Sequence, residues 1–392
     1  MSSKDLTERL NQLWQEFVEA ERKKKYPNIM LIGISGAGKS TLVNTIFGVD
    51  VAKVSHSKPE TEGYTNLYDG HDFDRKINLI DTAGYELGQS ETYLENVRNA
   101  INKEYNGLPV TVIWYCLSIE NERIEPIDLR VIKALTEDEN VRSKLCIVFT
   151  KCEEDDEEGS KENSFKGVLK ANGLEQIKTF SVSSHKELPL DLDDLILWSA
   201  NQMEDEDFRA AFIGSQMADL KIKAREAEKY INEVSLTVSA VKFGETLTAD
   251  NAEDRLAEIH LKLITRIYSV YGVDCLEGII KGVKPAKIIR VSDRLVRLLS
   301  TVLPKYRFVF QGIGIAAAGL ITKAIGHVIS KLCYSYVEKH IHGEKIDAES
   351  FFTEDDSSGI VTELFNVLTD SASNKLDRFV EKMVKKSIKT EE

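Results

Sequence analysis

Apolar positions recur along this chain in two rhythms, and the change between them divides it. Between residues 26 and 203, short apolar runs alternate with stretches of helical spacing. Ile29-Met30-Leu31-Ile32, Lys76 to Ile80, Val110 to Cys116, Lys144 to Phe149 and Ile177 to Val182 read as strands. Nearly uninterrupted apolar runs suit strands covered on both faces. Thr41 to Phe47 has helical spacing, with Leu42, Ile46 and Phe47 on one side. The alternation predicts an α/β domain with a doubly wound, mostly parallel sheet. Glu204-Asp205-Glu206-Asp207 marks a change, after which helical periodicity takes over. Phe208, Phe212, Ile213, Met217 and Leu220 start one expected helix; Leu256, Ile259, Leu263, Ile264 and Ile267 mark another. A last one carries Val361, Leu364, Phe365 and Leu368, then Leu376, Phe379 and Met383. At the other end Leu6, Leu10, Leu13, Trp14 and Phe17 form an apolar stripe on a helix that Pro27 stops. A face of that size needs a partner, and the C-terminal helices are the favoured one. The expected division is an N-terminal amphipathic helix (1–25), an α/β domain (26–203) and an all-α domain (204–392).

The first strand runs into Gly33-Ile34-Ser35-Gly36-Ala37-Gly38-Lys39-Ser40, which fits the pattern Gly, four residues, Gly-Lys-Ser. Strand, Gly-rich turn and helix stand in the order a phosphate-binding loop requires. Glycines let the backbone curl so that successive N–H groups, here from Gly33, Ser35, Gly36, Ala37, Gly38, Lys39, Ser40 and Thr41, converge on an anion. The helix N-terminus adds partial positive charge. Lys39 is expected to reach the β- and γ-phosphates and the Ser40 hydroxyl to ligate Mg²⁺. The second run leads into Asp81-Thr82-Ala83-Gly84. An acid at that strand end can hold Mg²⁺ through water, and Gly84 lets a backbone N–H approach the γ-phosphate. These features imply nucleotide binding.

Charge limits the alternatives. The 392 residues carry a formal net charge of −13, which argues against a general nucleic-acid binder. The five cysteines, Cys116, Cys146, Cys152, Cys275 and Cys333, are scattered and lack metal-ligand spacing; buried thiols in a reducing compartment are expected. A polar N-terminus without a signal-peptide pattern makes the cytoplasm the expected location. Glu153-Glu154-Asp155-Asp156-Glu157-Glu158 reads as a solvated connection.

The ordered set resembles the signature of translation-factor-related P-loop GTPases, in particular Era-like, septin-like and immunity-related GTP-binding proteins. Gly33 to Ser40 is similar to the first guanine-nucleotide motif and Asp81 to Gly84 to the third. Thr150-Lys151-Cys152-Glu153 resembles the fourth, Asn/Thr-Lys-x-Asp, and Val182-Ser183-Ser184 the fifth. The resemblance implies GTP or GDP with Mg²⁺ as the bound group. It places Lys151 against the base, Glu153 on the guanine N–H groups, and Thr150, Ser183 and Ser184 around them. Glu153 stands where the family has Asp, so its extra methylene requires the geometry to adjust; GTP over ATP is the expected preference. A switch Thr is expected within Val54 to Tyr68, where Thr61 and Thr65 are candidates and Thr61, in its Pro-x-Thr context, is preferred. With Ser40 and Asp81 it completes the expected Mg²⁺ set, and with Lys39 and Gly84 the expected catalytic set. Tyr85 occupies the position of the water-orienting Gln of Ras-like enzymes, and Gly36 that of the Asn of potassium-activated relatives. Intrinsic hydrolysis is therefore expected to be slow and to need a second G domain or a partner. His56 and Arg123 could contribute in trans or as an arginine finger; surface roles are favoured for both.

Residues 281 to 307 hold Lys281, Lys284, Lys287, Arg290, Arg294, Arg297, Lys305 and Arg307 against one acid, Asp293. That is a basic amphipathic pattern suited to a membrane surface. The uncharged run Phe308 to Thr322 is shorter than the ~20 residues a spanning helix needs, and Lys323, His327 and Lys331 interrupt its extension. Gly312, Gly314, Gly319 and Gly326 suit close helix contact, so a buried central helix is favoured over a membrane-inserting hairpin. The stretch Leu263 to Val273 with Gly312 to Gly326 resembles a helical module that follows some Era-like G domains. The leading expectation is a nucleotide-dependent switch acting on a helical effector domain. A dynamin-like membrane GTPase using residues 281–322 and a structural nucleotide binder without turnover are the competing ones. A homodimer through the G domains is a further expectation from the resemblance.

Overall fold

The computed structural model describes residues 24–48, 65–70, 75–82, 90–185, 188, 190–240, 249–273 and 315–344, with isolated helical positions 12, 16 and 19. The chain separates into two compact units, one of them Lys25–Asp219. That unit is built on a six-stranded sheet in the order β2-β3-β1-β4-β5-β6. The strands are β1 (Asn28–Ile32), β2 (Thr65–Tyr68), β3 (Asn78–Thr82), β4 (Val110–Ser118), β5 (Leu145–Thr150) and β6 (Lys178–Ser181). All neighbours are parallel except β2, which runs antiparallel to β3. Central β1 pairs Met30 with Ile80 on one side and Ile113 on the other.

Period-2 alternation supplies two apolar faces. Met30, Ile32, Ile80, Ile113, Tyr115, Ile147 and Phe149 share one core with Tyr93 and Val97 of α2 (Ser90–Asn102), Val131 and Ile132 of α3 (Pro126–Thr136), and Phe165 and Leu169 of α5 (Ser160–Ala171). A short α4 (Glu139–Lys144) leads into β5. Trp114 points to the other face. There Phe47, from α1 (Lys39–Phe47), stacks on it at 6.2 Å. Phe212, from α7 (Glu206–Ser215), meets both rings edge-on. The Trp114 indole N–H donates to Ser199 Oγ of α6 (Leu192–Asn201) at 2.9 Å. Three aromatic rings, each able to bury ~150–250 Å², anchor that layer.

Three local readings are corrected. A single helix was expected through Phe208 and Leu220; instead α7 stops at Ser215 and α8 (Leu220–Ala240) begins afresh. The buried Gln216 side chain accepts from the Asp219 N–H at 2.9 Å and donates to its carbonyl at 2.6 Å, closing a tight turn. The acidic run at Glu204–Asp207 proves to be a helix start: Asp205 accepts from the N–H groups of Asp207 and Phe208. Here α7 belongs to the sheet-containing unit, tied by Met217 N–H to the Ile46 carbonyl and by the Lys76 N–H to Ser215 Oγ. The acidic stretch after β5 is likewise ordered, because Asp155 and Asp156 accept the N–H groups of Ser160, Lys161 and Glu162 at the start of α5.

The second unit contains, among the described residues, α8, α9 (Ala249–Tyr271) and α10 (Ile315–Ile341). Lys223 Nζ donates to the Tyr271 carbonyl and the Arg266 guanidinium lies over the Tyr230 ring, so α8 and α9 run antiparallel. A Cβ on Gly326 would lie 2.6 Å from Ile231 Cγ1, and the Gly319 carbonyl accepts from Ser235 Oγ. These two glycines do make close helix contact. Helix α10 continues through Lys323, His327 and Lys331. No described helix is long and apolar enough to cross a membrane. Outside the described residues lie the stripe Leu6–Phe17, the basic stretch 281–307, Gly312, Gly314 and the helix expected at Val361–Met383.

One buried acid sets a pH dependence. Asp128, in the first turn of α3, accepts the Tyr115 hydroxyl at 2.7 Å, and burial pushes its carboxyl up to about 6. The native state then keeps a proton that the unfolded chain releases near pH ~4. Stability falls as pH rises from there to about 6 and levels off above. Asp128→Asn keeps an acceptor for Tyr115 without the charge. Thermal melts between pH 4 and 7 should show the variant gaining on the wild type by up to about 3 kcal/mol over that window. Parallel pH profiles would reject Asp128 as the source.

Candidate nucleotide-binding site

Strand β1 ends at Ile32, and the Gly33–Gly38 loop turns at the C-terminal edge of the sheet into α1. Gly33 has φ 147°, and a Cβ there would stand 2.5 Å from the Cys116 carbonyl oxygen of β4. Gly38 has φ 79°, and its Cβ would lie 3.0 Å from Thr150 Oγ1 of β5. Gly33 has no room for a side chain, and at Gly38 one would be both strained and tight against Thr150. Thr150 Oγ1 in turn donates to the Ala37 carbonyl at 2.8 Å, so the loop is moulded onto two neighbouring strand ends. The Lys39 ammonium folds back over the loop, donating to the Gly33 carbonyl at 2.8 Å and the Ile34 carbonyl at 3.3 Å. Helix α1 has no acidic residue in its first turn and no side-chain cap. Its leading N–H groups thus have no intrahelical acceptor, which suits an anion. Ser35, Gly36, Ser40 and Thr41 are exposed there.

Asp81 sits near the end of β3, in register with Leu31. The next residue fastens the strand, Thr82 Oγ1 donating to the Leu31 carbonyl at 2.9 Å. Burial pushes the Asp81 carboxyl up, and Lys39 pulls it down. Its Oδ1 is buried with no hydrogen-bond partner. A buried carboxylate oxygen without a donor is costly unless a cation meets it, so the residues present fit Mg²⁺ beside the phosphates.

A second wall forms where β5 and β6 end. Thr150, Lys151, Glu153, Val182, Ser183 and Ser184 line one cleft with Gly38, Thr41, Leu42 and Thr45. The Cys152 N–H donates to the Val182 carbonyl at 3.1 Å, joining the two strand ends. Lys151 adopts φ 59°, rare for a residue with a side chain, and pairs with Glu120, just past β4. Glu153 Oε1 accepts from Ser184 Oγ at 3.0 Å, whereas Oε2 is buried without a partner. Burial pushes the Glu153 carboxyl up, but its own backbone N–H and the Ser183 and Ser184 hydroxyls outweigh that and hold it below the usual range.

Lys39, Asp81, Thr150, Lys151, Glu153, Ser183 and Ser184 thus line one edge of one sheet, although the sequence spreads them widely. Thr61, Gly84, Tyr85 and His56 lie outside the described residues, as do the side chains of Thr65 and Ala83. Arg123 is exposed and pairs with Glu125. Sequence reasoning missed Glu120 and the Cys116 carbonyl; neither belongs to a motif, and only the sheet brings them to the loop. Strand β2 was also missed, its four residues hidden in the segment assigned to a switch.

The two glycine environments predict different costs. Gly33→Ala meets the Cys116 carbonyl, whereas Gly36→Ala, at φ 80°, has nothing within 4 Å. Gly36→Ala should cost about 1–2 kcal/mol in thermal unfolding. Gly33→Ala should cost more and remove nucleotide binding as well. Equal effects of the two in melting and nucleotide titration would contradict the close approach.

Residues 28–151 match a family model described as 50S ribosome-binding GTPase. Among curated proteins the chain is 27% identical over 229 residues to neuronal-specific septin-3 of Rattus norvegicus, covering 50% of this chain and 61% of the relative. It is 28% identical over 145 residues to the translocase of chloroplast 34 homolog of Chlamydomonas reinhardtii, covering 34% of each. With the tRNA modification GTPase MnmE of Chlorobium chlorochromatii it shares 30% over 146 residues, or 37% of this chain and 29% of the relative. The chain spans less than two-thirds of the length of these relatives. Among solved structures, Toc33 from Arabidopsis thaliana in complex with GDP and Mg²⁺ aligns at 17% identity and TM-score 0.30, over 46% of this chain and 79% of that one. Phosphate loop, strand order and family match together give residues 28–151 the fold of a P-loop GTPase G domain.

Proposed function

We propose that this protein is a GTP-dependent switch with slow intrinsic GTP hydrolysis, whose G domain reports its nucleotide state through the helical unit. The observation that carries the reading is a pair of unpartnered carboxylate oxygens, Asp81 Oδ1 and Glu153 Oε2, on the edge that also carries the phosphate loop. One supports a metal-bound phosphate end and the other a base end. In this reading Lys39 leaves the Gly33 and Ile34 carbonyls to neutralise the β- and γ-phosphates, and the N–H groups from Gly33 to Thr41 hold their oxygens. Mg²⁺, when bound, neutralises the charge developing on the phosphates; Ser40, Asp81 and Thr61 would hold it. Lys151 lies along the base, and Glu153 accepts the N–H groups that guanine presents. A base without them leaves a desolvated carboxylate unpaired, which penalises ATP.

Switching needs a ligand with different affinity for two states. Thr61 and Gly84 supply that difference by closing on the γ-phosphate, and Gly84 lies just past strand β3. With Tyr85 in place of a water-orienting side chain, turnover waits on a second G domain or another partner. The close packing of α10 on α8 at Gly326 and Gly319 supports a helical core there over a membrane-inserting hairpin.

Competition binding of GTP, GDP and ATP with Mg²⁺, on wild type and Glu153→Ala, tests the base reading. The wild type should prefer GTP, and Glu153→Ala should lose most of that preference. ATP bound as well as GTP by the wild type would reject it. Phosphate release should be slow but measurable over hours at high protein concentration, and absent in Lys39→Ala. No release from the wild type, even at high concentration, would leave a nucleotide binder without turnover.

A further inference from the structure

The helix that follows the phosphate loop is short, and its far end is held from outside. Its nine residues, Lys39–Phe47, span about 13 Å, so a displacement at the loop reaches Phe47 with little loss. The last carbonyls of a helix have no partner within it, and two other elements supply donors here. Met217 N–H donates to the Ile46 carbonyl at 2.6 Å. The Arg75 guanidinium donates to the Phe47 carbonyl from Nη2 at 3.1 Å and Nε at 3.3 Å, which puts a cation at the negative end of the helix dipole. Gly48 closes the helix at φ 64°, and a Cβ there would stand 3.4 Å from Met217 Cβ. Met217 is thus seated against the end of α1.

The turn that contains Met217 has a second attachment. Ser215 Oγ is buried, accepts from Lys76 N–H at 3.0 Å and donates to the Ala211 carbonyl at 2.7 Å. Lys76 stands two residues ahead of β3, the strand that carries Asp81. One turn is therefore bonded to the helix of Lys39 and Ser40 and to the entry of the Asp81 strand. Gln216 stiffens it: fully buried, its side chain accepts from Asp219 N–H at 2.9 Å and donates to the Asp219 carbonyl at 2.6 Å. Helix α8 starts at the next residue, Leu220.

We propose that the Ser215–Asp219 turn is the coupling element that carries nucleotide state from the G domain into α8. A shift of α1 or of β3 on exchange of GDP for GTP moves Met217 and Ser215, and the Gln216 closure passes that movement to Leu220. The inference rests on the switch reading above and supplies its route. Gln216 belongs to neither the phosphate nor the base wall, so opening the turn should free α8 from nucleotide state while the nucleotide site itself stays intact.

The test is amide hydrogen exchange across α8 on the full chain, with Mg²⁺ and either GDP or a non-hydrolysable GTP analogue. Wild type is compared with Gln216→Ala and with a Gly-Gly insertion between Asp219 and Leu220. The insertion leaves every hydrogen bond of the turn in place and loosens only the exit, so it keeps the test decisive where Gln216→Ala fails to fold. Wild-type α8 should exchange at rates differing on the order of fivefold between the two nucleotides. In the variants the two rates should converge. Both nucleotides should still bind within about fivefold of wild type, the most that reciprocal coupling of this size allows. A wild-type response that survives in either folded variant would overturn the turn as the route and leave the switch reading standing. Identical α8 exchange in the wild type with GDP and with the analogue, both bound, would overturn the switch reading and this inference with it.

Discussion

One hydrogen bond, from the Thr150 hydroxyl to the Ala37 carbonyl, spans 113 residues of sequence and holds the phosphate loop in shape. Around it the Cys116 carbonyl comes close enough to exclude a side chain at Gly33, and the Thr150 side chain crowds Gly38. The arrangement requires β1, β4 and β5 to end at the same edge, which parallel strands do and an antiparallel neighbour would not. Ligand sites outside the carboxyl ends of open α/β sheets follow from this geometry. The aromatic layer of Phe47, Trp114 and Phe212 on one face and the Met30–Phe149 core on the other keep those strands in register.

Polar groups in the G domain fall into two kinds. Some are satisfied within the protein, such as Asn28, whose side-chain amide donates to the Leu108 carbonyl at 2.8 Å, or Asp128 with Tyr115. These fasten the framework. Others have partners waiting to be exchanged or missing altogether: Lys39 on its own loop carbonyls, Asp81 and Glu153 each with an oxygen to spare. Leaving such atoms buried costs stability, and the cost is concentrated where a charged ligand would remove it.

The helical unit has a different interior. Lys223, Glu226, His260 and Thr322 are buried among its apolar residues, and His260 bonds to Thr322 at 2.9 Å. Burial alone holds the His260 imidazole down to about 4, so it stays neutral through the physiological range. Hydrogen bonds such as these select one helix register from the alternatives that an apolar stripe allows, in the way the close contact of Gly326 with Ile231 does by shape.

The chain's own pattern was enough to read the phosphate loop, five of the six strands, the helix α1 and the alternation that makes a doubly wound sheet. These depend on local spacing, and local spacing is written in consecutive residues. Four short motifs also named residues that the fold gathers at one edge of the sheet, because glycine conformations and strand ends need particular residue types nearby. What only the tertiary structure decided were pairings across long separations. Helix α7 joins the sheet because Phe212 fills the gap beside Trp114, although its acidic start reads as a boundary. Lys151 meets Glu120, and Ser184 meets Glu153, through the register of β4, β5 and β6. A side-chain partner chosen by strand register leaves no mark in the residues next to it, since the sheet, and not the local sequence, sets the distance.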